Sequence, residues 1–421
     1  MSNLKRTKLA EGVHFNSVSD NRFKTMLIEA NFVMPLSAET ASANALLVYV
    51  LSRSCREYPT YRALCKKLSS LYGAELSAAS GKSGDRQLLT LTLTGIDDRY
   101  ALDGESIAEQ LSSLLCSVIF EPNLNGSAFL QAETDQERRQ LLDDIDSEFN
   151  DKRVYAIGQM IKNMCSDEVF GIKRYGTAEQ VKSLTPEDLY AAWQNVLRTA
   201  QLEIMYVGDS EPDKALSVFA EAFSGIEREP HKVETEVIAK AENVKRITDE
   251  MDVSQSKLVM GFRGERVLPD KKAYASQLMA AVLGGTATSK LFCNVREKQS
   301  LCYYCAARYD KTKGIMIIDS GVEGENIEKL ERGIMKEIED LKNGEITDFE
   351  LEATKLAVIN SYYSSNDTVR GIDTWYMNRI FEGEIKSIEE MAERVNAVTK
   401  EEIIEAAKLL TLDTVYVLKN K

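Results

Sequence analysis

Residues 283–303 read LGGTATSKLFCNVREKQSLCY, and this stretch decides how the second half of the chain is interpreted. It begins with two adjacent glycines, Gly284 and Gly285. No Lys-Ser or Lys-Thr pair follows them at the spacing of a phosphate-binding loop, and no dinucleotide-binding pattern is present. Because glycine permits tight backbone turns, the stretch predicts a turn that leads into a helix.

A Cys-x-x-Cys motif, Cys302 to Cys305, follows directly, with Cys293 upstream. Such a motif can hold a metal or form a redox pair, but a metal site usually combines two of them. Residues 302–305 also have the pattern of a strand, in which positions three apart point to opposite faces. The sequence therefore favours structural cysteines. A thiol- or metal-dependent enzyme that uses Cys302 and Cys305 stays open as a third hypothesis.

Two similar segments indicate that the chain consists of two related halves. Residues 184–189 (LTPEDL) precede an apolar stretch that reaches Tyr206, and residues 398–403 (VTKEEI) precede TVYV at 414–417. In both, a threonine can cap a helix whose first turn is acidic, and a β-branched strand follows. The shared order and position within each half predict a duplication.

Hydrophobic periodicity predicts an α+β fold, with a mixed or antiparallel sheet covered by helices in each of two domains. Residues 227–243 are rich in Glu and Lys and lack an apolar period, which predicts a linker between domains at 1–226 and 244–421. The predicted helices are 61–72, 129–144, 273–283, 327–342 and 349–364, and the predicted strands are 87–94, 257–262 and 314–320.

Composition excludes several classes of protein. The chain has 421 residues, which is too long for one ordinary core, and its net charge of −14 argues against nucleic-acid binding. We expect no signal peptide and no membrane span, and the seven scattered cysteines are typical of the cytoplasm. Only two histidines are present, His14 and His231, far from metal-ligand spacing. We expect both to be surface or loop residues.

Residues 283–303 resemble the C-terminal domain of the insulinase/pitrilysin-like metallopeptidases, in which a small-residue turn precedes a helix that ends in Arg-Glu-Lys and is followed by Leu and Tyr. The resemblance covers nearly the whole chain and implies two homologous α+β domains around a cavity, as in mitochondrial processing peptidase. The other matching segments are residues 71–77 (LYGAELS), 137–145, 184–189 and 350–355 (ELEATK).

The family carries an inverted zinc motif, His-x-x-Glu-His, on a helix, where two histidines one turn apart bind the metal and the Glu activates water. Counting back from Gly73 places the ligand positions on Leu47 and Leu51 and the base on Val50. The resemblance puts the third ligand at Asp144 and a nearby helper acid at Glu137. Aliphatic side chains cannot bind zinc, and no histidine lies between His14 and His231. We therefore expect no cofactor bound by this chain.

An Arg and a Tyr seven residues apart bind the substrate backbone and help stabilise the oxyanion in this family, and here they correspond to Arg296 and Tyr303. Taken alone, the two would be a helix-end charge and a strand aromatic. The resemblance implies a non-catalytic subunit that supplies this pair to the zinc site of a homologous partner subunit in a heterodimer acting on peptides. The alternative is a structural or binding scaffold, either a homodimer or a component of a maturation complex.

Overall fold

The computed structural model describes residues 4–265, 268 and 272–421. Its strands are β1 (Lys5–Ala10), β2 (Val13–Ser19), β3 (Thr25–Pro35), β4 (Glu75–Ser83), β5 (Arg86–Ile96), β6 (Gln201–Gly208), β7 (Lys245–Met251), β8 (Ser256–Arg263), β9 (Cys302–Asp310), β10 (Ile315–Val322) and β11 (Thr411–Asn420). Its α-helices are α1 (Ala41–Leu51), α2 (Tyr61–Ser70), α3 (Ile107–Phe120), α4 (Gln131–Asn150), α5 (Lys152–Met164), α6 (Ala178–Ser183), α7 (Pro186–Thr199), α8 (Asp213–Ala222), α9 (Lys272–Gly284), α10 (Ile327–Lys342), α11 (Asp348–Ser364), α12 (Val369–Glu382), α13 (Ile388–Ala397) and α14 (Lys400–Lys408).

The five helices predicted from periodicity are confirmed as α2, α4, α9, α10 and α11, and the three predicted strands as β5, β8 and β10. The two similar segments also fold alike. In each, the Thr side chain accepts a hydrogen bond from the backbone N–H of an acidic residue three positions later. The side chain of that acid in turn accepts a hydrogen bond from the Thr backbone N–H. The pairs are Thr185 with Asp188 and Thr399 with Glu402. This capping box opens α7 before β6 and α14 before β11.

The two sheets repeat one topology, which confirms the predicted α+β class. The first has the order β1-β2-β6-β3-β5-β4 and the second β7-β11-β8-β10-β9. Each sheet contains one parallel pair of strands, β2 with β6 in the first and β7 with β11 in the second. All other neighbouring strands are antiparallel. Apart from β1, the strands of one sheet therefore correspond one to one with those of the other, as expected for a duplicated unit.

The first compact unit comprises Met1–Ile145, Ile172–Glu234 and Ser365–Asn378. Alternate residues of β3, among them Met26, Ile28 and Phe32, point into its core. Helix α1 lies in the same core, with Leu46 and Leu47 fully buried. The core thus sits between one face of the first sheet and its helices.

The second compact unit comprises Asp146–Gly171, Thr235–Ser364 and Arg379–Lys421. Helix α5 packs on one face of its sheet, where Met160 and Met164 join a cluster with Val259 and Tyr416. The chain passes between the units at Glu234, inside the segment interpreted as a linker, while the contiguous ranges 1–226 and 244–421 stay a prediction. Within residues 4–265, 268 and 272–421, no helix is both long and apolar enough to cross a membrane.

Candidate functional site

The residues at which the resemblance places the family's zinc ligands and base lie on α1, in the core of the first unit. Leu47, Val50 and Leu51 are all buried. Leu47 and Leu51 line a small pocket whose other walls are also apolar, formed by Phe32, Val48, Leu89, Ile119, Trp193, Val196 and Leu197. Zinc requires nitrogen, sulfur or oxygen donors, so the side chains at these positions do not fit the metal.

The remaining acidic positions do not complete a site either. Asp144 is exposed on α4, where its Oδ1 accepts a 3.1 Å hydrogen bond from Gln140 Nε2. Glu137, two turns earlier, is buried. Across the part of the chain that the structure describes, no group of three or more His, Cys, Asp or Glu side chains is arranged to hold a metal ion.

An arginine, Arg53, lies beside Glu137, and the sequence did not predict this contact. Arg53 follows the uncharged helix α1, and its Nε lies 3.4 Å from Glu137 Oε1. Its guanidinium carbon is 3.8 Å from the centre of the Tyr61 ring. In the sequence, Arg53 is only the first basic residue after a helix without charges. That pattern does not indicate that its partner, Glu137, lies 84 residues further along the chain.

The acids near Arg53 are perturbed by burial. Burial raises the pKa of Glu137, whereas the charge of Arg53 opposes that rise. Burial likewise raises the pKa of Glu133, whose Oε2 accepts a 2.8 Å hydrogen bond from Ser54 Oγ. The guanidinium therefore provides positive charge to two carboxylates that would otherwise be poorly solvated.

The two histidines lie apart from this region. His231 is exposed in a segment without helix or strand, as expected. His14 lies on β2 with its Nδ1 3.5 Å from Glu203 Oε1, and burial lowers its pKa. His14 is therefore a partly buried strand residue, not the surface or loop residue that we expected.

Arg296 and Tyr303 flank the start of β9 in the second unit. Arg296 lies in a π-helix, Leu291–Lys298, where its guanidinium stacks 4.5 Å from the Phe292 ring centre and its Nε is 3.6 Å from Glu297 Oε1. The Tyr303 side chain is 58% exposed, and its hydroxyl donates a 2.6 Å hydrogen bond to Glu323 Oε1, which raises the pKa of Tyr303. Both side chains are open to solvent in the described structure.

The prediction that Cys302 and Cys305 point to opposite faces was wrong. Cys305 pairs with Ser320 and Cys302 with Val322, so three steps along β9 correspond to two along β10. This β-bulge places both cysteines on the same buried face and leaves Tyr303 projecting outward. A bulge depends on the register of the neighbouring strand, which no local pattern in residues 302–305 specifies.

The two thiols interact across the bulge. A hydrogen bond from Cys305, together with a smaller effect of Ser320 and the charge of Arg296, lowers the pKa of Cys302 to about 7. The same interaction, with burial, raises the pKa of Cys305. All seven cysteines fall within the described residues, and all are free thiols.

Comparison with known proteins agrees with this geometry. Residues 183–358 match the family described as "Peptidase M16 inactive domain". The probable inactive metalloprotease YmfF of Bacillus subtilis is 32% identical over 409 residues, which cover 97% of this chain and 96% of that protein. This chain belongs to the M16 peptidase family. Another relative, the uncharacterized zinc protease YmxG of Bacillus subtilis, is 26% identical over 171 residues, which cover 40% of this chain and 42% of that protein.

Solved structures show the same M16 fold. A conserved protein from Enterococcus faecalis V583 superposes with a TM-score of 0.92 at 27% identity, covering 100% of this chain and 99% of the other. The peptidase M16 inactive domain from Pseudomonas fluorescens superposes with a TM-score of 0.80 at 20% identity, covering 100% and 98%. The resemblance to insulinase-like metallopeptidases is confirmed. The chain is a peptidase-like member of the M16 family, and its α1 carries aliphatic residues where the resemblance places the zinc ligands.

Proposed function

We propose that this chain is the non-catalytic subunit of a two-chain zinc endopeptidase. It binds an extended peptide and supplies Arg296 and Tyr303 to the zinc site of a homologous partner subunit. The zinc belongs entirely to the partner. The proposal places the complex in the cytoplasm, which the seven free cysteines favour.

The observation that carries the proposal is a contrast between the two units. The ligand positions Leu47, Val50 and Leu51 are buried among apolar side chains and cannot support hydrolysis. Arg296, at the end of the π-helix, and Tyr303, seven residues later on β9, in contrast keep a large part of their side chains exposed to solvent. Selection for stability alone does not require a solvent-facing guanidinium and hydroxyl at the two positions that the family uses for substrate.

The edge of the second sheet supports the extended conformation proposed for the peptide. Strand β9 is the last strand in the order β7-β11-β8-β10-β9, so its outer edge has no strand partner among the described residues. An edge strand offers unpaired backbone N–H and C=O groups, to which an extended peptide can add. The bulge at Tyr303 directs that side chain outward, near the start of the same edge strand.

The chemistry of the pair suits this role. Arg is permanently charged and donates from a planar fork, and a Tyr hydroxyl can donate to negative charge that develops on a carbonyl oxygen. Glu323 holds the Tyr303 hydroxyl in the described structure through the 2.6 Å bond. A substrate oxygen would compete with that carboxylate as the acceptor.

The scaffold hypothesis remains the second candidate. The interaction of Arg53 with Glu137 and Glu133 favours it, because this arrangement satisfies the acids at the former metal region without any metal. A homodimer or a component of a maturation complex would need only such a stable fold. It would not need Arg296 or Tyr303.

The test compares hydrolysis by two preparations of tagged protein on a quenched-fluorescent peptide library. One preparation is made alone in a foreign host, and the other is isolated from its native host with whatever binds it. We expect only the native complex to cleave peptides, and we expect a zinc chelator to stop it. Arg296→Ala and Tyr303→Phe should each lower the cleavage rate of the complex by about a hundredfold, as removal of an oxyanion donor does.

Two control variants match these changes in the same unit. Arg332→Ala and Tyr363→Phe alter exposed side chains on α10 and α11 and should leave the rate unchanged. Co-purification of the partner with every variant separates assembly from catalysis. A native complex that cleaves peptides equally well with Arg296→Ala and Tyr303→Phe would contradict the proposal, and a native complex without activity would favour the scaffold.

A further inference from the structure

We propose that the second unit carries a binding site for a carboxylate group of the bound peptide, formed by Arg153 and Arg308 and organised by Asp319. The inference rests on the proposed peptide-binding function and adds a preference for acidic peptides or free C-termini. All three residues belong to the second unit.

One buried carboxylate fixes both arginines. Arg153 Nε donates a 2.5 Å hydrogen bond to Asp319 Oδ2, and Arg308 Nη1 donates a 3.1 Å hydrogen bond to Oδ1 of the same carboxylate. The Asp319 side chain is 1% exposed, whereas those of Arg153 and Arg308 are 47% and 48% exposed. The buried carboxylate therefore holds both guanidinium groups near one another, while about half of each arginine side chain is exposed to solvent.

The surroundings of the pair carry an excess of positive charge. Lys257 and Arg153 lie on the ring of Tyr304, with Nζ 5.6 Å and Cζ 4.5 Å from its centre. Burial and the charge of Arg153 lower the pKa of Lys257, whereas Asp151 and Asp319 act in the opposite direction. Three cations thus face two carboxylates in a chain whose net charge is −14. A further anion would relieve the repulsion among the cations.

A second observation points to a missing hydrogen-bond partner. The Tyr304 hydroxyl is buried, and no hydrogen-bond partner for it is present among the described residues. Arg153 and Lys257 lie over the Tyr304 ring, and burial raises the pKa of Tyr304 to about 12, so the hydroxyl keeps its proton. A buried hydroxyl without a partner is costly, and an acceptor oxygen of a ligand would satisfy it.

The ligand chemistry follows from the donors. Guanidinium groups match carboxylates in paired, planar hydrogen bonds, and Arg308 lies on β9, the strand proposed to receive the peptide. Arg308 is five residues after Tyr303, which corresponds to about 16 Å along a strand. A peptide aligned with β9 would therefore place an acidic side chain, or its C-terminal carboxylate, four to five residues from the group held at Tyr303.

The experiment measures binding to the purified full chain by fluorescence anisotropy. The probes are three pools of N-terminally labelled decapeptides, randomised among uncharged residues except at one central position. The first pool has Glu there and an amidated C-terminus, the second has Gln and an amidated C-terminus, and the third has Gln and a free C-terminus. Comparison of the first with the second tests a side-chain carboxylate, and comparison of the third with the second tests the C-terminal one.

We expect at least one carboxylate pool to bind about fivefold tighter than the Gln amide pool, a typical gain for partly exposed charge-assisted bonds. Arg153→Gln and Arg308→Gln should each remove the preference. Arg308→Lys should keep part of it, with greater sensitivity to salt, because it retains the charge and loses the planar fork. The control Arg332→Gln changes an exposed arginine of α10 in the same unit and should keep the full preference.

Far-UV circular dichroism and thermal melting of each variant establish that the fold is retained. Equal binding of all three pools to the unmodified chain would overturn the carboxylate site and leave the proposed peptide binding intact. A preference that persists in both Arg153→Gln and Arg308→Gln would also overturn it. Absence of binding by every pool would remove this inference together with the peptide-binding function on which it rests.

Discussion

Replacement of Arg53 by Met tests whether its positive charge stabilises the two acids of α4 near it, Glu133 and Glu137. The change removes the guanidinium, which lies over the Tyr61 ring, but keeps an unbranched apolar stem at this position. In the folded protein it leaves the buried Glu137 and the half-buried Glu133 without the cation that opposes the rise of their pKa values. We therefore expect a loss of stability confined to the first unit.

The magnitude follows from the geometry. Removal of one partner from a fully buried ion pair costs about 3–5 kcal/mol. The Arg53 side chain is 25% exposed, and its Nε lies 3.4 Å from Glu137 Oε1 without forming a hydrogen bond, so a smaller cost of about 2 kcal/mol applies. Loss of the contact with the Tyr61 ring adds about 0.5 kcal/mol. The expected decrease in the free energy of unfolding is therefore about 2–3 kcal/mol.

The assay is urea unfolding followed by tryptophan fluorescence. The chain has two tryptophans, Trp193 and Trp375, and both lie in the first unit. Their signal therefore reports the unit that contains Arg53. The matched control is Arg56→Met, since the Arg56 side chain is 76% exposed and 4.0 Å from Glu121. It should change the unfolding free energy by less than about 0.5 kcal/mol.

The pH dependence has a defined sign. Because the pKa values of Glu137 and Glu133 are raised in the folded state, the stability linked to their protons is fully present below the ordinary value of 4.5. It is lost as the pH rises through the folded pKa values. Without Arg53 those pKa values rise further, so the difference between the unmodified chain and Arg53→Met should be larger at pH 7.5 than at pH 5.

Two results would refute this reasoning. Arg53→Met could prove no more destabilising than Arg56→Met, which would mean that the guanidinium does not stabilise the buried acids. Alternatively, the stability difference could be the same at pH 5 and pH 7.5. In that case the cost would come from lost packing and not from the charges of Glu137 and Glu133.

Further predictions concern α1 and the thiols. Leu47→Ala should lower the free energy of unfolding by about 3 kcal/mol in the same fluorescence assay, because it opens a cavity beside Trp193. The control is Leu102→Ala. Leu102 is 84% exposed, so this change should alter the free energy of unfolding by less than about 0.5 kcal/mol. Equal effects of the two changes would contradict the burial of Leu47. The absorbance of thiolate at 240 nm should rise with a midpoint near pH 7 in the unmodified chain and lose that step in Cys302→Ser. In Cys305→Ala the midpoint should move upward, because the hydrogen bond that lowers the pKa of Cys302 is gone, and an unchanged midpoint would count against that bond.

Local signals predicted the elements well because their causes are local. A threonine followed three residues later by an acid caps a helix wherever it occurs, and Thr185 and Thr399 do so in both halves. Alternation in residues 87–94 likewise predicted β5, although the strand extends to Arg86–Ile96. The candidate site was less predictable. Arg53, two residues after α1, lies beside Glu137 of α4 only once the chain has folded, and no periodicity connects residues that far apart.

The sequence by itself determined that aliphatic residues stand at the positions where the family resemblance places the zinc ligands. The chemistry of Leu47, Val50 and Leu51 excludes metal ligation in any conformation, and no histidine lies between His14 and His231. Only the tertiary structure decided which groups face one another: the bulge that brings Cys302 and Cys305 to one face, and the single carboxylate of Asp319 shared by Arg153 and Arg308. Ligand chemistry is a property of each side chain, whereas register and long-range pairing arise only when strands and helices distant in sequence pack together.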